Sequence, residues 1–441
     1  MGSLDSAITF AENRYAARCV IWAPACTKAR HQGSTCSACA DACPAGAISF
    51  PNGLPHVAKS LCVGCGTCRV VCPTQAPSLP GFGEEVVRAA LDSLRPADPE
   101  SLRSTSPEPP GPADQAMLIC NRALEDKGLI PPSELAVKRL RTADGESVLA
   151  LVLPCLAAVD ESQLLIAATR SAKVRLVSPG CDGCPQKACC SVLAKTLEST
   201  QKLASQWGIN TPVTFEENPA TAHGIAHAFN QGNTEPPSRR GAIDQVVSEA
   251  KSLAIDAAQE KIGRSPAPQE QKSLSQVLEM VNGALPWIPV PRHEDLLELL
   301  YASGVGRQAA AGNSPATAEQ PTAASQADAD GAAGAAPQTA AQKPVGCNRF
   351  GMVTATDACD CCGICASFCP TGALRLIGQP AQKPKMGIPV KQTQPPALEF
   401  RSCDCVGCGL CADICPTGAL SVSHEVTPAQ LLELEPTRLK G

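Results

Sequence analysis

The sequence predicts an α+β protein in which two small cysteine-built modules flank a central α/β parallel-sheet domain, with a helical segment and a disordered linker before the second module. Three observations carry this. The 26 cysteines gather mainly in two blocks, Cys19–Cys72 and Cys359–Cys415, an internal repeat at opposite ends of the chain. Between residues 117 and 217 short apolar runs alternate with helix-like segments, the pattern of strands buried on both faces. Aromatic side chains make up only 3% of the 441 residues, which favours several small domains over one large core.

Charge and hydropathy exclude some partners. A formal charge of −5 argues against nucleic acid or an anionic membrane surface as the main partner. The opening MGSLDSAITFAENRYAARC lacks a basic region followed by an apolar one, so no signal peptide is visible. The longest apolar stretch, VLALVLPCLAAV at 148–159, is too short to span a bilayer and contains a proline. The expectation is a soluble, cytoplasmic protein with no membrane span.

Taken in order, residues 1–82 hold the first cysteine block and 83–112 a helix, GEEVVRAALDSL, stopped by Pro96 and followed by a Pro-rich linker. In 113–218, MLIC (117–120), SVLALVLPC (147–155), KVRLVSPGC (173–181) and TPVTFEE (211–217) read as strands. Segments 160–172 and 186–208 read as the helices between them, with Asp160 and Ser178 as cap or turn residues. Residues 219–303 look helical over 242–263, 273–285 and 292–304. The Ala/Gln/Thr-rich stretch 304–344 lacks large apolar side chains and is expected to be a disordered tether on which the last module swings. Residues 345–441 hold the second block and end in TPAQLLELEP, with Thr427 as cap and Pro428 in the first turn.

The second block carries two full C-x2-C-x2-C-x3-C-P runs: Cys359, Cys362, Cys365, Cys369-Pro370, and Cys405, Cys408, Cys411, Cys415-Pro416. Three thiolates three residues apart let one tight loop hold three corners of a [4Fe–4S] cluster, while the Cys before proline turns to the other cluster. This assigns Cys359, Cys362, Cys365 and Cys415 to one cluster and Cys405, Cys408, Cys411 and Cys369 to the other. Zinc sites use separated cysteine pairs instead. These runs and the CPTGAL segments after Cys369 and Cys415 resemble the bacterial two-cluster ferredoxin over residues 345 to about 425. The resemblance implies ferredoxin-like dicluster modules, each a pseudo-symmetric pair of hairpins and helices, in a polyferredoxin-type electron-transfer protein.

The first block is similar but departs from the pattern. Cys62, Cys65, Cys68 and Cys72-Pro73 form a full run, whereas Cys36, Cys39 and Cys43-Pro44 have Gly33 where the first cysteine belongs. Cys26, ten residues before Cys36, can be recruited by a longer loop. The expected sets are Cys26, Cys36, Cys39 and Cys72, with Cys19 as substitute for Cys26, and Cys62, Cys65, Cys68 and Cys43. Pro77 interrupts the strand expected after this run.

In the central domain Cys120, Cys155 and Cys181 fall at strand ends and Cys184 completes a C-x2-C pair. In a parallel sheet those ends share one edge, where ligands bind. The four thiols are therefore a candidate fifth centre, iron–sulfur or zinc, against the alternative of inert buried thiols. LPCLAAVDESQLLIAATR and SPGCDGCP resemble the small iron–sulfur (delta) subunit of hydrogenases linked to heterodisulfide reductase, and the four cysteines are its matching ligand positions. Cys189 and Cys190 are expected to pack, either being able to replace one of the four.

Other features weigh less. His223 and His227 lie one helical turn apart with nothing else beside them, and Trp287, Cys347, Cys361 and Cys403 are read as packing or spare residues. No Walker A loop, G-x-G-x-x-G or G-x-S-x-G occurs. The reading is an iron–sulfur electron-transfer subunit without a catalytic site of its own, suited to anaerobic metabolism. Its expected partner is a redox enzyme such as a molybdopterin oxidoreductase, a hydrogenase or a heterodisulfide-reductase-like enzyme. The alternatives are an oxidoreductase with a substrate-facing central site, or a redox sensor or assembly factor.

Overall fold

The computed structural model of the chain describes residues 19–79, 82, 84–94, 115–125, 136–141, 147–218, 221–222, 285–312, 342–378 and 395–441. The helices read at 242–263 and over most of 273–285, His223 and His227, and the linker stretches 95–114 and 313–341 lie outside these residues.

The N-terminal module is built from short pieces. Strand β1 (Val20–Ile21), helices α1 (Thr27–Arg30) and α2 (Ala38–Asp41), strands β2 (Ile48–Ser49) and β3 (His56–Val57), helix α3 (Thr67–Val71) and strand β4 (Pro77–Ser78) follow one another. They pair as two antiparallel ribbons, β1 with β4 and β2 with β3. The strand around Pro77 persists, in register with Ile21, because proline is tolerated in such an edge pair. Helix α1 occupies the longer loop between Cys26 and Cys36.

Helix α4 (Glu84–Asp92) leads to a five-stranded sheet. Its strands are β5 (Gln115–Cys120), β6 (Ala136–Arg141), β7 (Ser147–Leu153), β8 (Lys173–Ser178) and β9 (Val213–Glu217), ordered β6-β7-β5-β8-β9. A short helix, α5 (Arg122–Glu125), follows β5. Four strands are parallel, and Leu118, Leu151 and Leu176 at its centre are almost completely buried. Each such leucine contributes roughly 1.5–3 kcal/mol. The sheet departs from an all-parallel one at β6, antiparallel to β7 at an edge. Its sequence, AVKRLR, mixes apolar and basic residues, as suits an edge strand, and lacks the continuous apolar run of β5 and β7.

Helix α6 (Glu161–Arg170) opens with a capping box between Asp160 and Gln163, and α7 (Cys190–Trp207) closes on Gly208 in the left-handed conformation. Two further helices, α8 (Pro291–Ala302) and α9 (Gly304–Gly312), lie against α6 and α7. The first nine residues of the stretch expected to be a disordered tether are thus helical. Ala309 is buried there, and alanine is the best helix former.

The C-terminal module contains β10 (Met352–Ala355), α10 (Ile364–Phe368), β11 (Leu374–Ile377), β12 (Ala397–Phe400), α11 (Leu410–Asp413), β13 (Leu420–Ser423), α12 (Pro428–Leu431) and β14 (Thr437–Lys440). Strand β10 pairs with β13, and β11-β12-β14 form a second sheet. Thr427 caps α12 through a capping box with Gln430.

The module is docked, not swung free. Leu165, Leu203 and Trp207 of the central domain, Leu296 and Leu300 of α8, and Phe350, Val426 and Leu431 of the C-terminal module share one apolar core. Cys347 is buried in the same core. Buried arginines bridge the modules. Arg349 forms a two-pronged ion pair with Glu161, both contacts 3.0 Å, and Arg69 reaches Asp160 at 3.2 Å. Arg292 donates to the carbonyls of Val70 and Cys72 at 2.7 and 2.6 Å. The Arg69 guanidinium offsets the desolvation of Asp160 and holds its carboxyl below the usual range.

Candidate metal centres

Each full cysteine run is shaped by residues in the left-handed conformation. Gly64 and Gly66 (φ 68° and 79°) and Gly407 and Gly409 (φ 63° and 76°) occupy equivalent loop positions. Such a φ favours glycine, so the paired glycines turn the loop and bring thiols and amides inward. In the third run Cys361 takes the first of these positions at φ 56°, with Gly363 at the second. Cys361 is thus a strained loop residue beside the Cys359 thiol.

The loops bring the predicted C-terminal ligands together. Cys365 has Cys362, Cys359 and Cys415 as electrostatic neighbours, and Cys408 has Cys369, Cys405 and Cys411. Cys411 also neighbours Cys365, so the two sets adjoin. In the N-terminal module Cys39 neighbours Cys26, Cys36 and Cys72, and also Cys68 of the adjacent set. Cys68 in turn has Cys65 and Cys43 beside it.

Cys19 stands elsewhere than a substitute for Cys26 requires. Its backbone N–H donates to Cys62 Sγ at 3.4 Å and its thiol lies 3.5 Å from Cys68 Sγ. It therefore packs beside the Cys62 run, in one buried cluster with Cys39 and Cys68.

Burial pushes the Cys365 and Cys405 thiols up to about 12, and raises Cys39 and Cys411 further. Uncomplexed, they stay protonated at neutral pH, so metal must displace their protons. The arrangement fits a sulfur-ligated cluster: four soft donors per set, most of them buried or half-buried, beside loop amides. Cys415 differs. Burial raises it, but the Thr417 hydroxyl and the amides after it outweigh burial and hold it below its ordinary value. Thr417 lies 3.6 Å from Cys415 Sγ, Thr371 3.9 Å from Cys369 Sγ and Thr74 3.5 Å from Cys72 Sγ. The repeated Cys-Pro-Thr triplet thus places a hydroxyl beside Cys72, Cys369 and Cys415, and Ala45 breaks the pattern after Cys43.

Arg30, at the end of α1, is almost fully buried. It donates to the carbonyls of Pro24 (2.5 Å), Pro286 (2.8 Å), Phe368 (3.0 Å) and Cys369 (3.3 Å). Its charge faces Cys369 and Cys408, and burial lowers its pKa to about 10. Thr35 adds a second contact between modules, its amide donating to Asp413 at 2.8 Å.

In the central domain Cys120, Cys155, Cys181 and Cys184 all line one small, closely packed cavity of about 20 Å³ at the sheet's C-terminal edge. Cys189 and Cys190, expected to pack or to replace one of the four, line it too. Burial takes Cys120 and Cys181 up to about 11. Cys120 has Cys181 and Cys184 as neighbours, and Cys181 has Cys190. Cys155 is the hydrogen-bond neighbour of Cys189. Among the described residues, no three His, Cys, Asp or Glu side chains close around a single metal ion.

Comparison with known proteins agrees with the end modules. Residues 358–419 match a 4Fe–4S dicluster domain and residues 55–78 a 4Fe–4S binding domain. The chain therefore carries ferredoxin-type 4Fe–4S domains near both ends, and its resemblance to ferredoxin-like electron-transfer proteins holds. Among curated proteins it is similar to the electron transport protein HydN of Escherichia coli K12, 54% identical over 53 residues. That alignment covers 12% of this chain and 27% of HydN, and the same figures apply to HydN of the O6:H1 and O157:H7 strains. The chain thus spans about a quarter of the length of these relatives. No solved structure matches it significantly. No described helix is long and apolar enough to cross a membrane.

Proposed function

We propose that the chain relays single electrons through four [4Fe–4S] clusters to or from a partner oxidoreductase, and that its central cavity holds a further iron–sulfur centre. Each cluster, when bound, supplies a one-electron couple. The protein binds, spaces and tunes the clusters. The observation that carries the reading is the adjacency of the thiol sets. Cys39 meets Cys68, Arg30 joins the Cys26 loop to Cys369 and Cys408, and Cys411 meets Cys365. The ligand sets are Cys26, Cys36, Cys39 and Cys72; Cys43, Cys62, Cys65 and Cys68; Cys359, Cys362, Cys365 and Cys415; and Cys369, Cys405, Cys408 and Cys411. In the cavity Cys120, Cys155, Cys181 and Cys184 are the ligands read from sequence.

The partner is a redox enzyme of the hydrogenase, molybdopterin or heterodisulfide-reductase type, a reading in keeping with the name of HydN, an electron transport protein. Rapid mixing of the reconstituted chain with a low-potential one-electron donor tests the relay. Fast bleaching of the cluster absorbance is expected, and intact clusters that no such donor reduces would sink the proposal. A second reading, an oxidoreductase with its own central site, draws on the cavity's six cysteines. Turnover of a disulfide by the isolated chain would favour it.

A further inference from the structure

The central cavity and the N-terminal module meet at one buried contact. Thr67, the first residue of α3, is fully buried, with its Oγ1 3.0 Å from Cys189 Sγ and 3.5 Å from Cys65 Sγ. Cys65 belongs to the loop of the second N-terminal run, and Cys189 lines the central cavity beside Cys155. The backbones are in contact as well: a Cβ added at Gly66 would stand 2.6 Å from Ala158 Cβ, three residues after Cys155. Cys65, Leu79, Leu156, Ala157, Cys189 and Leu193 share one apolar core, so water is excluded from the junction.

We propose that Thr67 and Cys189 form the electronic bridge between the N-terminal set Cys43, Cys62, Cys65 and Cys68 and the central cavity, which makes the cavity the inner terminus of the relay. This rests on the relay reading above and adds its order: central cavity, second N-terminal set, first N-terminal set, then the two C-terminal sets. The far end is more open to solvent, because Cys362 is exposed.

The chemistry follows from hydrogen-bond capacity. A hydroxyl donates one hydrogen and accepts through two lone pairs. The Thr67 hydroxyl donates toward Cys189 Sγ and Cys65 Sγ, its one hydrogen lying between the two sulfurs, and the Cys65 and Cys189 side chains are themselves hydrogen-bond neighbours. That links the two sites through one buried hydroxyl and a direct contact between the two sulfur side chains. An iron–sulfur centre held by the cavity thiols would accept one electron from a cluster held by Cys43, Cys62, Cys65 and Cys68, each supplying a one-electron couple. No bond forms or breaks and no proton moves. Thr67 and Cys189 are positioning residues, and neither is counted among the ligands.

The test uses the full chain, reconstituted anaerobically with iron and sulfide, as wild type, Thr67→Val, Thr67→Ser, Cys189→Ala and Cys189→Ser. Iron and sulfide contents should match wild type in all four variants. In an EPR-monitored redox titration Thr67→Val should shift the midpoint of one N-terminal cluster to lower potential, and Thr67→Ser should restore it. After mixing with substoichiometric photoreduced deazaflavin, freeze-quench EPR should show the cavity centre filling about tenfold or more slowly in Thr67→Val and Cys189→Ala, with partial recovery in Cys189→Ser. Full iron with unchanged potential and unchanged filling would overturn the bridge. So would iron loss confined to the Cys189 variants, which would make Cys189 a ligand, or a wild-type chain whose iron fits four clusters alone. Failure of the relay reading looks different: no [4Fe–4S] signal in wild type at all.

Discussion

Replacing Arg30 by methionine should open the contact between the two end modules while leaving each module's own cysteines in place. Arg30 lies almost fully buried and donates to four carbonyls, two of them in the C-terminal module, those of Phe368 and Cys369. Methionine fills similar volume but donates nothing. A buried acceptor left without its partner costs roughly 1–3 kcal/mol. Removing the arginine also removes its own desolvation cost, visible in its lowered pKa, so the low end of that range applies. The two acceptors across the interface then amount to about 2 kcal/mol, or about 30-fold in its opening equilibrium. Amide hydrogen exchange on the holoprotein reads this directly. The Thr35 amide, bonded to Asp413, and the Ile288 amide, bonded to the Pro370 carbonyl at 2.7 Å, report the interface. Both should exchange about 30-fold faster in Arg30→Met, while amides of β5 and β7 keep their wild-type rates. Interface amides whose rates stay within about threefold of wild type would refute the reasoning.

Cys26→Ser should lose between about one and four iron atoms per chain, as its cluster becomes [3Fe–4S] or is lost, whereas Cys19→Ser should keep full iron. Unchanged iron and an unchanged spectrum in Cys26→Ser would remove Cys26 from the ligand set. Stripping iron with an oxidant and a chelator should collapse the end modules and spare the central sheet, which has its own core of Met117, Ile119, Val148, Val152 and Val177. Circular dichroism should then retain the sheet signal, and its complete loss would show that the sheet depends on the clusters. His293 Nε2–H donates to the Cys403 carbonyl at 2.7 Å, and burial holds its pKa below the ordinary value of 6.5. The unfolded chain therefore binds more protons below about pH 6.5, and stability should fall as pH drops through that value toward the folded pKa. The urea concentration that releases half the iron should fall less between pH 7.5 and 5.5 in His293→Gln than in wild type (both values chosen to bracket the usual pKa of about 6.5). Equal falls would exclude His293 as the source.

The parts of this molecule legible in its sequence are those fixed locally. Cysteine spacing, the paired loop glycines and the apolar runs of β5, β7 and β8 are decided within a few residues. Thr427 and Pro428 likewise announce α12. The antiparallel edge strand β6 was not legible, because an edge strand carries polar residues that resemble a loop. Nor was the helix over Gly304–Gly312, since its stability comes from docking against α7 and α12 and not from its own apolar content. The largest omission was long-range. Arg30 meets Cys369 across 339 residues, and Thr67 meets Cys189 across 122. Sequence spacing assigned thiols to loops but held no information on which loops would face each other. The Cys-Pro-Thr triplet, by contrast, was available as a signal: three repeats of one hydroxyl position mark three cysteines with a hydroxyl beside the sulfur.

The central claim is that this chain is an iron–sulfur relay, and iron and sulfide counts with EPR on the anaerobically purified full-length protein test it most directly. Four [4Fe–4S] clusters require about 16 iron and about 16 sulfide per chain, with an excess from the central cavity, and reduction should produce the spectra of magnetically interacting clusters. Zinc in place of iron, or about 8 iron and 8 sulfide with one module empty, would contradict the account.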